Sequence, residues 1–396
     1  MVRSMRILEL GDSESWFAAF RRLADAEHFP EMTARLRLAA PEGGAEAEEA
    51  LALMERAFAE GWVHPRPPKT RSGRTVAVVG GGMLGLAAAA ALNDAGHYVR
   101  VYESSPHLGG LLCVGQGRVR VEQWVVDRRV RILEAEGVEF VSGARVGEAI
   151  RFDELREVSD ALLLAIGSRR PRRLMVPGYQ HPRVVDAARV TRPGGLGSLD
   201  VQDNRVLVLG DGHGADRLRQ RLLVEGGARQ VVVMPLLGGA VQAALDRRPE
   251  GAWPLLYEQG ERRDPVSVVA VEGDGRRLRS ARFVRVDVAT DPASQQPVVV
   301  PRPGSAFSVD ADAVVVAAGF VGPDTRAIES QLGVELDVEG NVSADRRFGT
   351  RVPGVYYAGD ANPGASSLLW DLSQGLEAAA VIDARLGGSR PSSVAR

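Results

Sequence analysis

Apolar and polar residues alternate along the chain with two different periods, and the change between them falls near residue 75. From the amino terminus to about residue 62, apolar positions recur at helical spacing (Trp16, Phe17, Phe20, Leu23; then Leu51, Leu53, Met54, Phe58), which predicts a small helical domain. From Thr75 the pattern becomes short β-rich runs separated by helix-compatible stretches: TVAVV (75–79), HYVRVYE (97–103), EFV (139–141) and ALLLAIG (161–167). Strands alternating with helices predict a parallel sheet. A second unit of the same kind starts at RVLVLG (205–210) and continues to QVVVM (230–234). Residues 266–303 read as antiparallel ribbon with a turn at Gly273 and Gly275, DADAVVVAAGF (310–320) returns to buried-strand character, and GVYYAGD (354–360) leads into a final helix from about Ser366 to Ala384.

The expected fold is therefore α/β, with two Rossmann-like dinucleotide-binding domains, the first split by the second, behind a small helical N-terminal domain. The expected boundaries are 1–70 for the helical domain and the Pro-rich linker HPRPPKTRSGR (64–74), 71–195 and 310–396 for the two parts of the first dinucleotide domain, and 196–309 for the second.

The first glycine fingerprint is Gly80-Gly81-Gly82-Met83-Leu84-Gly85, directly after a strand and before the Ala-rich segment Leu86–Ala95. In such a motif the first glycine makes the tight turn, the second lets backbone approach a pyrophosphate, and the third lets helix lie close to strand. The next strand ends at Glu103, where a carboxylate accepts hydrogen bonds from a ribose diol. Strand, glycines, helix, strand and acid in this order are far more specific than the glycines alone. Two further signals select FAD over NAD for this domain: the glycine-rich stretch His107-Leu108-Gly109-Gly110-Leu111-Leu112 soon after the acid, and Gly359-Asp360 after an apolar strand.

The second fingerprint, Gly210-Asp211-Gly212-His213-Gly214-Ala215, keeps the turn and close-approach glycines, with alanine in third place. The strand after it ends Val233-Met234-Pro235-Leu236, without the acid that binds the 2′-hydroxyl of NADH or an arginine for the 2′-phosphate of NADPH. Arg217, Arg219 and Arg229 are the candidates for that arginine, and retention of the unit without nucleotide stays open.

Composition narrows the chemistry. A formal net charge of −2 provides no general attraction to nucleic acid or anionic lipid. No apolar run is long enough to span a bilayer, so a cytoplasmic protein is expected. The single cysteine, Cys113, excludes an intrachain disulfide and ligation of an iron–sulfur cluster by four thiolates. Metal-ligand spacings and hydrolase motifs are lacking, so no metal is expected and no catalytic residue is assigned. Cys113, His107, His213 and Asp371 each read more simply as packing, loop or helix-end residues than as reactive groups.

Taken in order, HFPEMTARLRLAAPEGGA (28–45), FAEGWVHPRPP (58–68), VAVVGGGMLGLAAAAALNDAGHYVRVYESSPHLGGLL (76–112), VDRRVRILEAEGVEFV (126–141), AAGFVGP (317–323), GVYYAGD (354–360) and SSLLWDLSQGLEAA (366–379) resemble the small (β) subunit of glutamate synthase and related proteins over nearly the whole chain. The resemblance implies FAD contacts from Gly80, Gly82, Gly85, Glu103, Gly109, Gly110 and Leu111. It also implies Val146 beside the adenine, Gly167 near the diphosphate, and Gly359, Asp360 and Leu368 around the ribityl chain and ring system. In that family the second unit, here Gly210, Gly212 and Ala215, binds NADPH, whose hydride passes to the flavin. Where the family carries cluster cysteines this chain has Arg37, Pro41 and Ala45, so the resemblance implies the flavin chemistry without the clusters.

The expected function is an FAD-dependent, NAD(P)H-linked oxidoreductase that passes electrons to a small organic substrate, to oxygen or to a partner protein, in a specialised (natural-product) pathway. Two other readings stay open. One is a nicotinamide-independent flavin oxidase or dehydrogenase of an amine-like substrate. The other is a flavin-stabilised docking subunit whose N-terminal domain binds a partner.

Overall fold

In the computed structural model, the description covers residues 64–387 apart from 115–122, 169, 172–173, 175, 192–194, 211, 235–254, 258–264, 291–296, 321, 338–339 and 360–367. The helical N-terminal domain, with Arg37, Pro41 and Ala45, lies outside the described residues, as does Asp360.

The elements follow one another as β1 (Thr75–Val79), α1 (Met83–Asp94), β2 (Tyr98–Glu103), α2 (Leu111–Val114), α3 (Gln123–Ala135), β3 (Glu139–Ser142), α4 (Phe152–Glu157) and β4 (Ala161–Leu164). Then come β5 (Val184–Asp186), α5 (Ala187–Thr191), β6 (Arg205–Gly210), α6 (Gly212–Val224), β7 (Gln230–Met234), β8 (Leu255–Tyr257), β9 (Pro265–Gly273), β10 (Leu278–Thr290), β11 (Pro297–Pro301), β12 (Phe307–Asp310) and β13 (Ala313–Ala317). The chain closes with α7 (Arg326–Leu332), β14 (Val355–Tyr357) and α8 (Leu368–Arg385). The described residues form two compact units, one drawn from 64–114, 123–168 and 322–387, the other from 170–320. The second is thus inserted into the first along the sequence.

The first unit is built on a five-stranded sheet in the order β14-β4-β1-β2-β3, with every pair parallel. Both faces are covered, as a parallel sheet requires. Because side chains alternate along a strand, Val76 and Val78 of β1 and Ala161 and Leu163 of β4 enter the core under α1, α3 and α8. Ala77, Val79, Leu162 and Leu164 enter the opposite core, against α4 and α7. Helix α1 is buried along most of its length. Helix α8 approaches it backbone to backbone, since a Cβ added at Gly375 would lie 2.5 Å from the Leu84 carbonyl oxygen.

The second unit has a four-stranded parallel sheet, β5-β13-β6-β7, and an antiparallel sheet, β11-β10-β9-β8, with β12 also pairing with β10. Leu207 and Leu209 of β6 and Val314 and Val316 of β13 pack with Val266, Val268 and Phe283 of the antiparallel ribbon. Val206, Val208 and Val315 pack on the other side with Ala215, Leu218 and Leu222 of α6. The expected ribbon turn falls at Asp274–Arg277, whose Asp274 carboxylate accepts the Arg276 and Arg277 amides at 2.9 and 2.8 Å.

The Pro-rich stretch read as a linker is tied to the first unit by side chains. The Arg71 guanidinium donates to Asn93 Oδ1, the His97 carbonyl and the Glu136 carbonyl at 2.7, 2.8 and 2.9 Å. Ser72 Oγ lies 2.7 Å from Nδ1 of the buried His97, whose Nε2 is 3.0 Å from Asp383 Oδ1 on α8. These ties sit at the carboxyl end of α1, the end of the helix away from the glycines.

Candidate dinucleotide site

At the carboxyl end of β1 the three glycines of the first fingerprint occupy three different environments. Gly80 has φ +117°, its N–H donates to the Tyr102 carbonyl at 2.8 Å, and a Cβ there would lie 2.1 Å from the Ala165 carbonyl oxygen. Gly85 is equally confined, for a Cβ would lie 1.9 Å from the Gly80 carbonyl oxygen. Both collisions are with main chain, which has no rotamer by which to move away. Gly82 differs: it is the extended N-cap of α1 (φ −75°), and no described heavy atom lies within 4 Å of a Cβ built on it. Two glycines therefore serve the fold, whereas the middle one leaves a gap at the end of a helix whose first-turn amides have no intrahelical acceptor.

Glu103, the last residue of β2, is 3% exposed. Its Oε2 accepts the Gly81 amide at 2.9 Å, and its Oε1 accepts the Ser105 amide at 2.7 Å and the Ser104 hydroxyl at 3.1 Å. The acid thus braces the fingerprint turn, a role its position in the sequence does not disclose. The Gly109-Gly110 loop is brought against the same turn. The Gly109 amide donates to the Gly81 carbonyl at 2.8 Å, Gly109 forms a parallel bridge with Gly82, and a Cβ on Gly110 would come 3.2 Å from Gly82 Cα. Both glycines have positive φ, +104° and +54°. Leu111, 45% exposed, opens α2 immediately after them.

The remaining expected residues of the first unit fall at the ends of its strands or beyond. Gly167 follows β4 with φ +56° and has no described atom within 4 Å of a Cβ. Val146 packs on the core shared by β1, β4 and β14 and bridges to Ile150. Gly359 lies two residues past β14, next to Ala358, whose amide donates to the Leu164 carbonyl at 3.1 Å. Leu368 is the first residue of α8. The structure thus joins residues 80–85, 103 and 109–111 into one bonded cluster. Gly167 and Gly359 stand at the carboxyl ends of the adjacent strands β4 and β14.

His107 is exposed, and its amide donates to Ser105 Oγ at 3.2 Å. Cys113 is half-buried with its sulfur beside Gly109, where a Cβ would come 2.6 Å from Sγ. Asp371 lies in the first turn of α8.

In the second unit, Gly210 ends β6 against the end of β13, where a Cβ would lie 2.6 Å from Ala317 Cβ and 2.7 Å from its carbonyl oxygen. Gly212 begins α6, and Ala215 is 2% exposed in the core beneath it. The alanine is thus accommodated where Gly85 of the first unit is not replaceable. Met234, at the end of β7, is buried in the core. Arg229 precedes β7 at its amino end, level with Asn204 before β6, and so lies at the opposite edge of the sheet from Gly210. It is therefore removed from the candidates for the 2′-phosphate. Among the described residues no group of three or more His, Cys, Asp or Glu could hold a metal, and no helix is long and apolar enough to cross a membrane.

A glycine turn with its following helix and second strand, occurring twice in one chain on separate parallel sheets with the second unit inserted into the first, defines the two-dinucleotide-fold oxidoreductases. Residues 78–137 match the NAD(P)-binding Rossmann-like domain, and residues 267–381 match the pyridine nucleotide-disulphide oxidoreductase domain. The chain is 34% identical over 405 aligned residues to the NADPH glutamate synthase small chain of Mycobacterium tuberculosis, covering 94% of this chain and 81% of that protein. It is 30% identical over 414 residues to the Bacillus subtilis small chain, covering 94% and 82%. The chain belongs to the glutamate synthase small-chain family, within the pyridine nucleotide-disulphide oxidoreductases, and is an FAD oxidoreductase of that class. The fold is shared with M. tuberculosis FprA in complex with NADPH (TM-score 0.59, 18% identity, 81% of this chain and 85% of that one). It is likewise shared with the thioredoxin reductase of T. acidophilum (TM-score 0.53, 18% identity, 79% and 99%).

Proposed function

We propose that the first unit holds FAD and the second NAD(P)H, and that electrons leave the reduced flavin for a small organic acceptor, oxygen or a partner protein without passing through iron–sulfur clusters. The observation that carries the flavin reading is the gap at Gly82, flanked by the buried Glu103 and the Gly109-Gly110 loop. Residues of the right chemistry surround it: a helix end for the diphosphate, an acid for the ribose, and a glycine pair that keeps backbone amides accessible.

When bound, FAD supplies the hydride-accepting and electron-transferring chemistry. The chain's own part is to hold it. Gly80 and Gly85 set the turn, Gly82 admits the diphosphate, and Glu103 fixes the turn while accepting from the ribose. Gly109, Gly110, Leu111, Val146, Gly167, Gly359, Asp360 and Leu368 line the rest, while Gly210, Gly212 and Ala215 form the nicotinamide dinucleotide turn of the second unit. The lone Cys113 cannot form a redox disulfide with a second thiol of the same chain, so substrate reduction relies on the flavin directly. The same count leaves this chain without the four thiolates that would hold a cluster as its own electron exit.

A visible spectrum of purified protein followed by anaerobic titration tests this reading. Flavin bands without cluster absorption, bleached by NADH or NADPH, are expected; colourless folded protein that refuses added FAD ends the proposal. A second reading rests on β7, which ends in Met234 and not in an acid. In it, the flavin oxidises an amine-like substrate and neither nicotinamide bleaches it.

A further inference from the structure

The peptide joining Leu108 to Gly109 is clamped from both sides. Its N–H donates to the Gly81 carbonyl at 2.8 Å, which ties it to the fingerprint turn. Its C=O accepts from Gln123 Nε2, the first residue of α3, at 3.0 Å. In a planar trans peptide these two groups point in opposite directions, so the two bonds fix the rotation of one rigid plane. The next two residues, Gly109 and Gly110, are the least constrained kind of backbone, and both sit at positive φ. Their order therefore depends on ties from outside the loop.

The Gln123 amide is itself oriented. Nε2 also donates to Asp127 Oδ1 at 2.9 Å, one helical turn along α3. Both partners are oxygen acceptors, so only the NH₂ end of the amide can face them. The Leu108 side chain packs under the turn, where a Cβ on Gly81 would lie 2.8 Å from Leu108 Cδ2. A rotation of this plane thus moves residues on both sides of the gap at Gly82.

We infer that Gln123, oriented by Asp127, is a positioning residue for the flavin: by holding the Leu108–Gly109 peptide it presents the Gly110 and Leu111 backbone to the dinucleotide. This inference rests on the flavin reading of the first unit. Gln123 makes no bond within the fingerprint itself and lies on a separate helix, α3.

The test measures FAD dissociation by fluorescence recovery on dilution, alongside the melting temperature of flavin-stripped protein. Gln123→Ala removes one hydrogen-bond donor from a partly buried carbonyl and is expected to weaken FAD binding about tenfold, while the stripped protein melts within about 2 °C of wild type. Gln123→Glu is expected to be at least as weak, because its carboxylate faces two oxygens. Adding Asp127→Asn to Gln123→Glu removes the like-charge pair without restoring a donor to Leu108, so binding stays weak. Gln123→Lys restores a donor that also pairs with Asp127, and recovers binding to within about threefold of wild type. Unchanged affinity in Gln123→Ala, full recovery in the double variant, or a fall in the stripped protein's melting temperature that accounts for the whole loss would each overturn the inference. A colourless wild type overturns the flavin reading as well, whereas a yellow wild type with an equally tight Gln123→Ala sinks only the positioning role.

Discussion

The two glycine fingerprints differ at their third position, and the difference separates what the motif does for folding from what it does for binding. In the first unit a Cβ at Gly85 would strike the Gly80 carbonyl at 1.9 Å, while in the second Ala215 is buried without conflict. The third position thus abuts main chain in the first unit and carries a side chain in the second. At the following strand the first unit ends in Glu103, bonded to the turn, and the second ends in Met234, folded into its core. The same motif is thus complete in one unit and reduced to its steric minimum in the other.

The largest expected effect tests the steric part. Gly85→Ala drives a methyl group into main chain and is expected to cost more than about 3 kcal/mol in urea unfolding, or to prevent folding, because backbone cannot rotate away. Ala215→Gly in the second unit costs about 1 kcal/mol, the ordinary helix penalty. If the two changes prove equally mild, the contrast between the units is wrong.

Next comes the binding part. Gly82→Ala has a compatible φ and meets no described atom within 4 Å, so stability should move by less than about 0.5 kcal/mol. Under the proposed flavin reading the methyl group takes space that the diphosphate needs, and FAD affinity should fall about 10- to 100-fold, read by flavin content and titration. Gly212→Ala in the second unit should leave flavin content unchanged and slow only flavin reduction by NAD(P)H.

A smaller loss is expected for Glu103→Gln. The amide keeps one acceptor for the Gly81 or Ser105 N–H and sets a donor against the other, at a cost of about 2 kcal/mol, together with weaker FAD binding. Chemical denaturation and flavin titration would separate the two effects, and an unchanged value in both would remove Glu103 from the brace and from the site.

The smallest effect is on acid stability, and it compares the bases of the two sheets. The Thr75 amide, joined by the Arg74 guanidinium, holds Asp160 below its ordinary value in the first unit. Arg205 does the same for Asp312 in the second. A carboxylate whose folded pKa is depressed contributes stability above its unfolded pKa and loses it as pH falls through the folded value. Melting temperature should therefore decline below about pH 4, and Asp160→Asn or Asp312→Asn should each flatten that decline while costing on the order of 2 °C at neutral pH. Both carboxylates are about one-third exposed, which keeps each share small.

Much of the scaffold was legible because its strands are short, β-branched and bounded by glycine or polar residues. The runs at 75–79, 205–210 and 230–234 became β1, β6 and β7 with the same limits. Others shifted at their ends: β4 stops at Leu164, because Ala165 and Gly167 turn the chain past the fingerprint, and β2 starts at Tyr98, because His97 is taken into a buried polar cluster. Strand β5 and helices α4 and α7 were not anticipated. They span only 3, 6 and 7 residues, too few for a period to emerge. The linker composition of residues 64–74 gave no sign of the Arg71 ties, since Asn93, His97 and Glu136 lie 22, 26 and 65 residues away.

By itself the sequence determined the class of protein: the spacing of Gly80, Gly82, Gly85 and Glu103 is local, and local spacing is enough to specify a turn, a helix end and an acid on the neighbouring strand. Its lone cysteine likewise leaves no intrachain thiol pair and no set of four thiolates in this sequence, because both are matters of count. Only the tertiary structure decided which glycine is steric and which is open, that Glu103 braces the turn it serves, and that Gln123 holds the loop from another helix. Each of these depends on distances between residues remote in the chain, which no pattern along one strand or helix encodes.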